Sequence, residues 1–483
     1  MPRFIFICLL LILPLSATSA NEPAETWPPD AIRAEFDVLY ETLRESHYDM
    51  YANRSRAAYD ALFSRMRAGF DTPLTRSQIR QHFQRFVAYG DVAHAKIDPP
   101  MAAWEQFRAN GGKAFPLFFR VLDGRVFIDD FMGDLDVRVG DEVLAVGGTP
   151  ALEWLAPMRA HLSADNDYLA YTMMENRLPI LVWQEWGEVA SFPLILRRGI
   201  DGPFEIEVPA LTRSQFQEAS DDHPARFALD WNAREARMLT DTIAYLRPGP
   251  FYDNRPEAEH PWNPAAFHAF VDGAFESFIE NGAEQLLIDL RNNPGGSNSF
   301  SDHLVAWFAK EPFRFSEKFE IMVSEAAIVS NRERLDTQDG ETDTVSNQLA
   351  AAYKGRSPGE IVDFPIELIR PRDGQRFGGK VFMLINRHSY SNAVSVAAIG
   401  QDYGFATILG EPTADLANTY GAMEHFTLPE TGIRVGFPKA RILRPSRDAD
   451  ADQVEPDIAI EALIAPDEDV MLQRAVEVIT KRG

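Results

Sequence analysis

The sequence predicts an α/β protein, and three observations carry that prediction. Over residues 235–483, apolar runs of strand length alternate with stretches of helical length. Before them, residues 115–210 hold short strand signals separated by Asp-Gly, Gly-Asp and Gly-Gly turns. Residues 24–90 place apolar residues at helical spacing. A chain of 483 residues has room for two or three domains. Its 45% hydrophobic and 11% aromatic content can build their cores.

The first twenty residues, MPRFIFICLLLILPLSATSA, read as a targeting segment. Arg3 supplies the basic end, residues 4–15 the apolar core, and Thr18-Ser19-Ala20 a small-residue cleavage site. The apolar run is too short to span a bilayer. The chain is therefore expected to be exported to the periplasm, with no transmembrane segment once residues 1–20 are removed. Cys8, the only cysteine, lies inside that core and not at the cleavage site. A mature chain would then hold no disulfide, no thiolate nucleophile and no cysteine-ligated metal. The net charge of −25 and the lack of a basic stripe argue against a nucleic-acid partner.

In chain order, Ile32, Phe36, Leu39, Tyr40 and Leu43 follow helix spacing, as do Tyr59, Leu62, Phe63 and Met66. Thr75-Arg-Ser-Gln is a helix start. Together they predict a small helical domain over residues 21–110. FPLFFRVLDGRVFIDD reads as a hairpin around Asp123-Gly124. VGDEVLAVGGTPALEWL adds a strand and a helix, and FPLILRR and FEIEVPAL two more strands, giving a β-rich module over residues 111–210. The third block, residues 235–483, begins with LTDTIAYLRP, followed by a helix over 265–281. QLLIDLRNNPGG is a strand with a Gly-rich turn, followed by a helix over 299–308. Residues 331–358 are polar and read as an exposed insertion, with a helix over 345–353. There is no internal repeat and no low-complexity tract.

The most informative stretch is 380–424. An apolar run, 381–385, gives way to Asn386-Arg387-His388 and then to Ser389 and Ser391. A helix follows, then a second apolar run that ends in GEPT. A serine on a strand-to-helix turn sits where backbone N–H groups are unsatisfied, a good place to stabilise an oxyanion. Taken alone, the bland reading of either serine as a helix N-cap is the stronger one. IDLRNNPGG, 288–296, offers a second half: Pro294-Gly295-Gly296 exposes N–H groups that a ligand can approach closely. It is neither a phosphate loop nor a dinucleotide fingerprint, because the required lysine and glycine spacings are absent. His94, in GDVAHAKI just after a Gly-Asp turn, is one of ten histidines and stands out only by position.

IDLRNNPGG, followed about a hundred residues later by VFMLINRHSYSNA and then ILGEPT, resembles the tail-specific (C-terminal processing) serine proteases and their tricorn-core relatives. VRVGDEVLAVGGTPA is similar to that family's PDZ-like module, GDVAHAKI to the segment closing its N-terminal helices, and VEPDIAI to its closing strand. The resemblance spans residues 30–465. It implies a crotonase-like (ClpP-like) α/β protease domain over 235–483, a PDZ-like module over 111–210 and an N-terminal helical cap over 21–110. It implies hydrolysis of peptides or protein tails by a serine-type peptidase that needs no metal or other cofactor. Ser391 then corresponds to the nucleophile, and the N–H groups of Gly295 or Gly296 and of Asn392 to the oxyanion hole.

The family's lysine-dependent branch is not matched, since Leu416 stands where that lysine would be. No lysine occurs between Lys380 and Lys439. A serine needs a base, and the tricorn-like branch draws a histidine from the N-terminal domain, here His94. His388, three residues before Ser391, is the competing base. The third, orienting group corresponds to Asp450, with Asp448 and Asp452 as neighbours that could serve. Ala93 replaces the serine that precedes the histidine in tricorn-type enzymes, and Asp91 reads as a turn carboxylate. The alternative function is a catalytically degenerate peptide- or ligand-binding protein on the same fold. Acyl-thioester chemistry is disfavoured by export and by the absence of a cluster to grip a nucleotide phosphate.

Overall fold

The computed structural model describes residues 25–222, 227–258, 260–337, 344–446, 452–464 and 466–482. The targeting segment at 1–20 and the candidates Asp448 and Asp450 lie outside these residues.

The apolar runs of the third block form one six-stranded sheet. Its order is Ile458–Ala459, Thr407–Gly410, Lys380–Ile385, Gln285–Asp289, Ile243–Arg247, Glu235–Met238. All neighbours are parallel except the last pair. Strands so placed are buried on both faces, so their sequences read as continuous apolar runs and not as alternations. Leu286 and Ile288 face a core built with the helices Ala265–Glu280, Asn298–Ala306 and Asn392–Asp402. Leu287, Phe382 and Leu384 face the opposite core, closed by the helix Val470–Arg482. Gln285–Asp289 and Lys380–Ile385 are adjacent and parallel, with Asp289 opposite Leu384. The turns at their C-terminal ends therefore emerge side by side, which is where ligands bind in open α/β sheets.

Residues 117–209 form a separate antiparallel sheet. The hairpin Leu117–Leu122/Arg125–Phe131 turns at Asp123-Gly124, both with positive φ, as a tight hairpin turn requires. Helices Ala151–Arg159, Asp167–Glu175 and Leu178–Trp186 complete this unit. An isolated bridge between Ala114 and Leu211 closes its ends.

The N-terminal helices Pro29–Ser46, Arg56–Ala68 and Arg76–Ala88 do not fold on their own core. Phe36, Phe83 and Phe86 share one apolar cluster with Val435, Phe437 and Ile442. These last three lie on a four-stranded antiparallel sheet whose long hairpin is Thr419–Thr427/Arg434–Leu443. The buried Glu35 carboxylate accepts the N–H groups of Glu430 and Thr431, both at 2.8 Å, tying the first helix to the tip of that hairpin. The polar insertion differs from its expected exposure. Leu349 and Tyr353 join the same cluster, and Arg334 reaches the buried Glu424. The expected helix is present as Thr344–Tyr353, but polar composition hid the face that it buries. No helix among the described residues is long and apolar enough to cross a membrane. No group of acidic, His or Cys residues among them could hold a metal ion.

Candidate active site

Ser391 caps the helix Asn392–Asp402 with φ 54° and ψ −121°. A non-glycine residue in the left-handed half of backbone space costs on the order of 1–3 kcal/mol and persists only where its surroundings hold it. Here they do. The backbone N–H of Ser391 donates to Asp415 Oδ2 at 2.6 Å, and Tyr390 N–H donates to the Asn293 carbonyl at 3.0 Å. Ser389 is structural, though not as the N-cap, a position that Ser391 holds. Fully buried, its Oγ donates to the Leu290 carbonyl at 2.9 Å and accepts the Asn386 N–H at 3.1 Å. It is a brace for the turn.

The two turns touch. A Cβ placed on Gly295 would lie 2.8 Å from Ser391 Cβ and 2.7 Å from the Asn392 nitrogen, so only glycine allows this approach. Asn293 shapes the glycine turn, its Oδ1 accepting the Gly295 N–H at 2.9 Å and its Nδ2 donating to the Gly249 carbonyl at 2.7 Å. Of the sequence-predicted donors, Gly295 is thus committed internally. Among the described residues, none accepts the N–H of Gly296 or of Asn392. Asn386 and Asn292 pair reciprocally across the two turns, at 2.8 and 3.1 Å. Asp289 and Arg291 form a buried ion pair with each other at 2.7 Å, extended to Asp469. They support the turn from behind.

His94 comes to this place from the N-terminal region. Its ring stacks on Tyr390, the residue before Ser391, with centroids 5.7 Å apart and planes 23° apart. Its loop is pinned on both sides. Lys96 and Gly436 exchange backbone hydrogen bonds at 3.0 and 2.8 Å, and Ala93 N–H donates to Asp165 Oδ1 at 3.3 Å. Asp91, left-handed at φ 49°, is held by Arg54 and by Arg159 at 3.0 Å, the turn role the sequence favoured. Burial pushes the His94 imidazole down to about 4, with Lys96 adding to the effect and the Tyr420 carbonyl opposing it. Among the described residues, no group stands in hydrogen-bonding geometry to the buried Nδ1. The ring is therefore neutral at ordinary pH.

His388 points elsewhere. Its Nε2 meets Glu175 Oε2 at 3.0 Å, and its ring packs edge-on against Trp231. Glu175, from the 117–209 unit, also binds Arg387 at 3.0 Å. Burial works against its charge, but Arg120, His388 and Arg387 hold the carboxyl down at about 2. Among the alternatives for a third group, the Asp452 carbonyl accepts the N–H of Ala417 at 2.6 Å. The residue is exposed beside Leu416 in a crevice of about 890 Å³.

Sequence reasoning missed two carboxyls at the centre of this site. Asp415 is fully buried, three residues after the Pro of GEPT, and Asp165 precedes the N-cap of Asp167–Glu175. The one local signal was an acidic residue between the small and apolar residues Ala414 and Leu416.

Residues 263–460 match the model of peptidase family S41. No curated protein matches the sequence. Among solved structures, mature CPAF superposes with a TM-score of 0.61 at 17% identity, over 94% of this chain and 96% of that one. The same protein complexed with lactacystin superposes at 0.60 and 17% identity, over 94% and 97%. At that identity the likeness concerns the fold. The likeness to peptidase family S41 thus rests on residues 263–460, the stretch that carries both Gly295 and Ser391.

Proposed function

We propose that the chain is an exported serine endopeptidase that hydrolyses peptides or protein tails through an acyl-enzyme on Ser391, with His94 as general base. The observation that carries this reading is the meeting of three distant segments. Ser391 stands left-handed at a helix start, Gly295 lies against it, and His94 stacks on its neighbour Tyr390. Neutral His94 takes the Ser391 Oγ proton as the oxygen attacks the peptide carbonyl. The N–H groups of Gly296 and Asn392 receive the oxyanion. Removing one such donor typically costs ~10² to 10³ in rate. As the C–N bond breaks, the proton passes from His94 to the leaving amine. Water, deprotonated by the same imidazole, then releases the acid and restores Ser391.

A carboxylate to orient the imidazole is expected from the 448–452 stretch, with Asp450 the first choice. We read residues 111–210 as a PDZ-like module that holds a substrate tail by strand addition, residues 21–110 as a cap that supplies His94, and residues 235–483 as a crotonase-like core. The composition of residues 1–20 supports export to the periplasm. The test is hydrolysis of a fluorescent casein by the wild-type protein, Ser391→Ala and His94→Ala, alongside labelling by a fluorophosphonate probe. Both variants should lose hydrolysis, and Ser391→Ala should lose labelling. Full hydrolysis by either variant refutes the assignment. Absence of hydrolysis and labelling in the wild type would favour a ligand-binding role.

A further inference from the structure

The geometry points to Asp415 as the positioning residue of Ser391, completed by Asp165, a partly buried carboxyl that couples this hold to the docking of the 117–209 unit. This inference rests on Ser391 being the nucleophile. Asp415 is fully buried, and its Oδ2 accepts the Ser391 N–H at 2.6 Å. That bond pins the one backbone group whose direction sets the left-handed φ of the serine. Among the described residues, nothing bonds its other oxygen, the buried Oδ1, or the buried Oδ2 of Asp165.

The two carboxyls come from segments that pack on each other. Ala164 and Ala414 share a small apolar cluster, and Asn166 Nδ2 donates to the Ala414 carbonyl at 3.4 Å. Asp165 in turn accepts the N–H of Ala93, the residue before His94. One acidic pair therefore touches the backbone beside both proposed reacting side chains.

Asp415 is fully buried and faces the like charge of Asp165, so its carboxyl retains a proton at neutral pH. Burial and then Asp165 push Asp415 up to about 8, and burial pushes Asp165 up to about 6. The surrounding charged and titratable groups do not undo this. Arg441 favours ionisation of Asp165 while Asp91 opposes it. The buried Tyr390 phenol stays protonated with Arg177 nearby, and His94 is neutral. Loss of the Asp415 proton above about pH 8 should push Asp165 and its segment away from Asp415, loosening Ala93 and with it His94.

The experiment is the second-order rate of fluorophosphonate labelling of the full chain from pH 6 to 10. It compares wild type with Asp415→Ala, Asp415→Asn and Asp165→Asn, each checked for its melting temperature. Wild type should lose labelling rate above about pH 8. Asp415→Ala should label at least tenfold more slowly at pH 7. Asp415→Asn, whose amide oxygen can still accept the Ser391 N–H, should recover most of that loss and show no alkaline fall. Asp165→Asn should also abolish the fall. Wild-type labelling by Asp415→Ala overturns the positioning role. Equal losses in Asp415→Ala and Asp415→Asn with the wild-type pH profile reduce Asp415 to a packing residue and overturn it as well. Should Asp415→Ala fail to fold, an unchanged alkaline fall in both Asn variants refutes the pair. Failure of the nucleophile assignment is separate, since it appears as wild-type labelling in Ser391→Ala.

Discussion

The imidazole of His94 lies on the ring of Tyr390, 5.7 Å between centroids, although the two are almost three hundred residues apart in sequence. This stacking brings the N-terminal region to the residue beside Ser391. It also buries the imidazole and so sets its protonation.

An imidazole held near pKa 4 makes its acid dependence predictable. The acid limb of hydrolysis or labelling due to His94 should lie near pH 4 and not near 6.5. A limb near 6.5 would mean that the ring is hydrated in solution. Stability follows with a definite sign. Above pH 6.5 the ring is neutral folded and unfolded. As pH falls from 6.5 to 4 the unfolded chain binds the proton and the folded one does not, so stability is lost in that window. The full loss is roughly 3 kcal/mol from this group. His94→Phe, compared with wild type by denaturant unfolding at pH 7 and pH 4.5, should lose less stability between the two.

His388 tests the competing base. Its Nε2 is engaged with Glu175 at 3.0 Å. His388→Asn should leave fluorophosphonate labelling of Ser391 within about threefold of wild type, since general-base removal typically costs ~10² or more. A hundredfold loss with an unchanged melting temperature would transfer the base role from His94 to His388.

Much of this was legible in sequence for a physical reason. The strand runs 381–385 and 285–289 are buried on both faces, so they appear as uninterrupted apolar stretches, and the glycines of 294–296 mark a turn that tolerates no side chain. What distinguishes Ser391 from Ser389 is backbone direction, which two serines two residues apart do not display. The long hairpin Thr419–Thr427/Arg434–Leu443 escaped because its partners lie in the first hundred residues. Glu35 meets Thr431 and Lys96 meets Gly436, contacts that leave no local pattern. Asp165 and Asp415 escaped for the same reason, because each carboxyl takes its meaning from the other segment.

Glu175 is an ionic link between the 117–209 unit and the turn that carries Ser391. With 1% of its side chain exposed, it meets Arg387 and His388 at 3.0 Å each and Arg120 at 3.7 Å. Glu175→Ala leaves buried cations short of a partner, a change that costs roughly 3–5 kcal/mol. Urea unfolding should show that loss as a lower midpoint. An unchanged midpoint would mean that Glu411, 2.7 Å from Arg387, suffices alone.

Gly295 offers the sharpest test of the contact between the two turns. A methyl group there would meet the Tyr390 carbonyl oxygen at 2.6 Å, the Asn392 nitrogen at 2.7 Å and Ser391 Cβ at 2.8 Å, and two of these are backbone atoms that cannot swing aside. The residue also has φ +84°, which alanine adopts only at a cost of about 1–2 kcal/mol. Gly295→Ala must therefore push the two turns apart, moving Ser391 and Asn392 together away from the Gly296 donor. Displacements of about 1 Å at such sites cost on the order of 10² in rate. The variant should show that loss in kcat for casein hydrolysis, with a fall in stability of only a few kcal/mol and a folded circular dichroism spectrum. Gly374→Ala is the control, because that glycine also has positive φ, at +83°, but has open space around it. It should lose comparable backbone stability and keep its rate. If both variants lose rate equally, strain alone explains the effect and the contact between the turns has no part in catalysis.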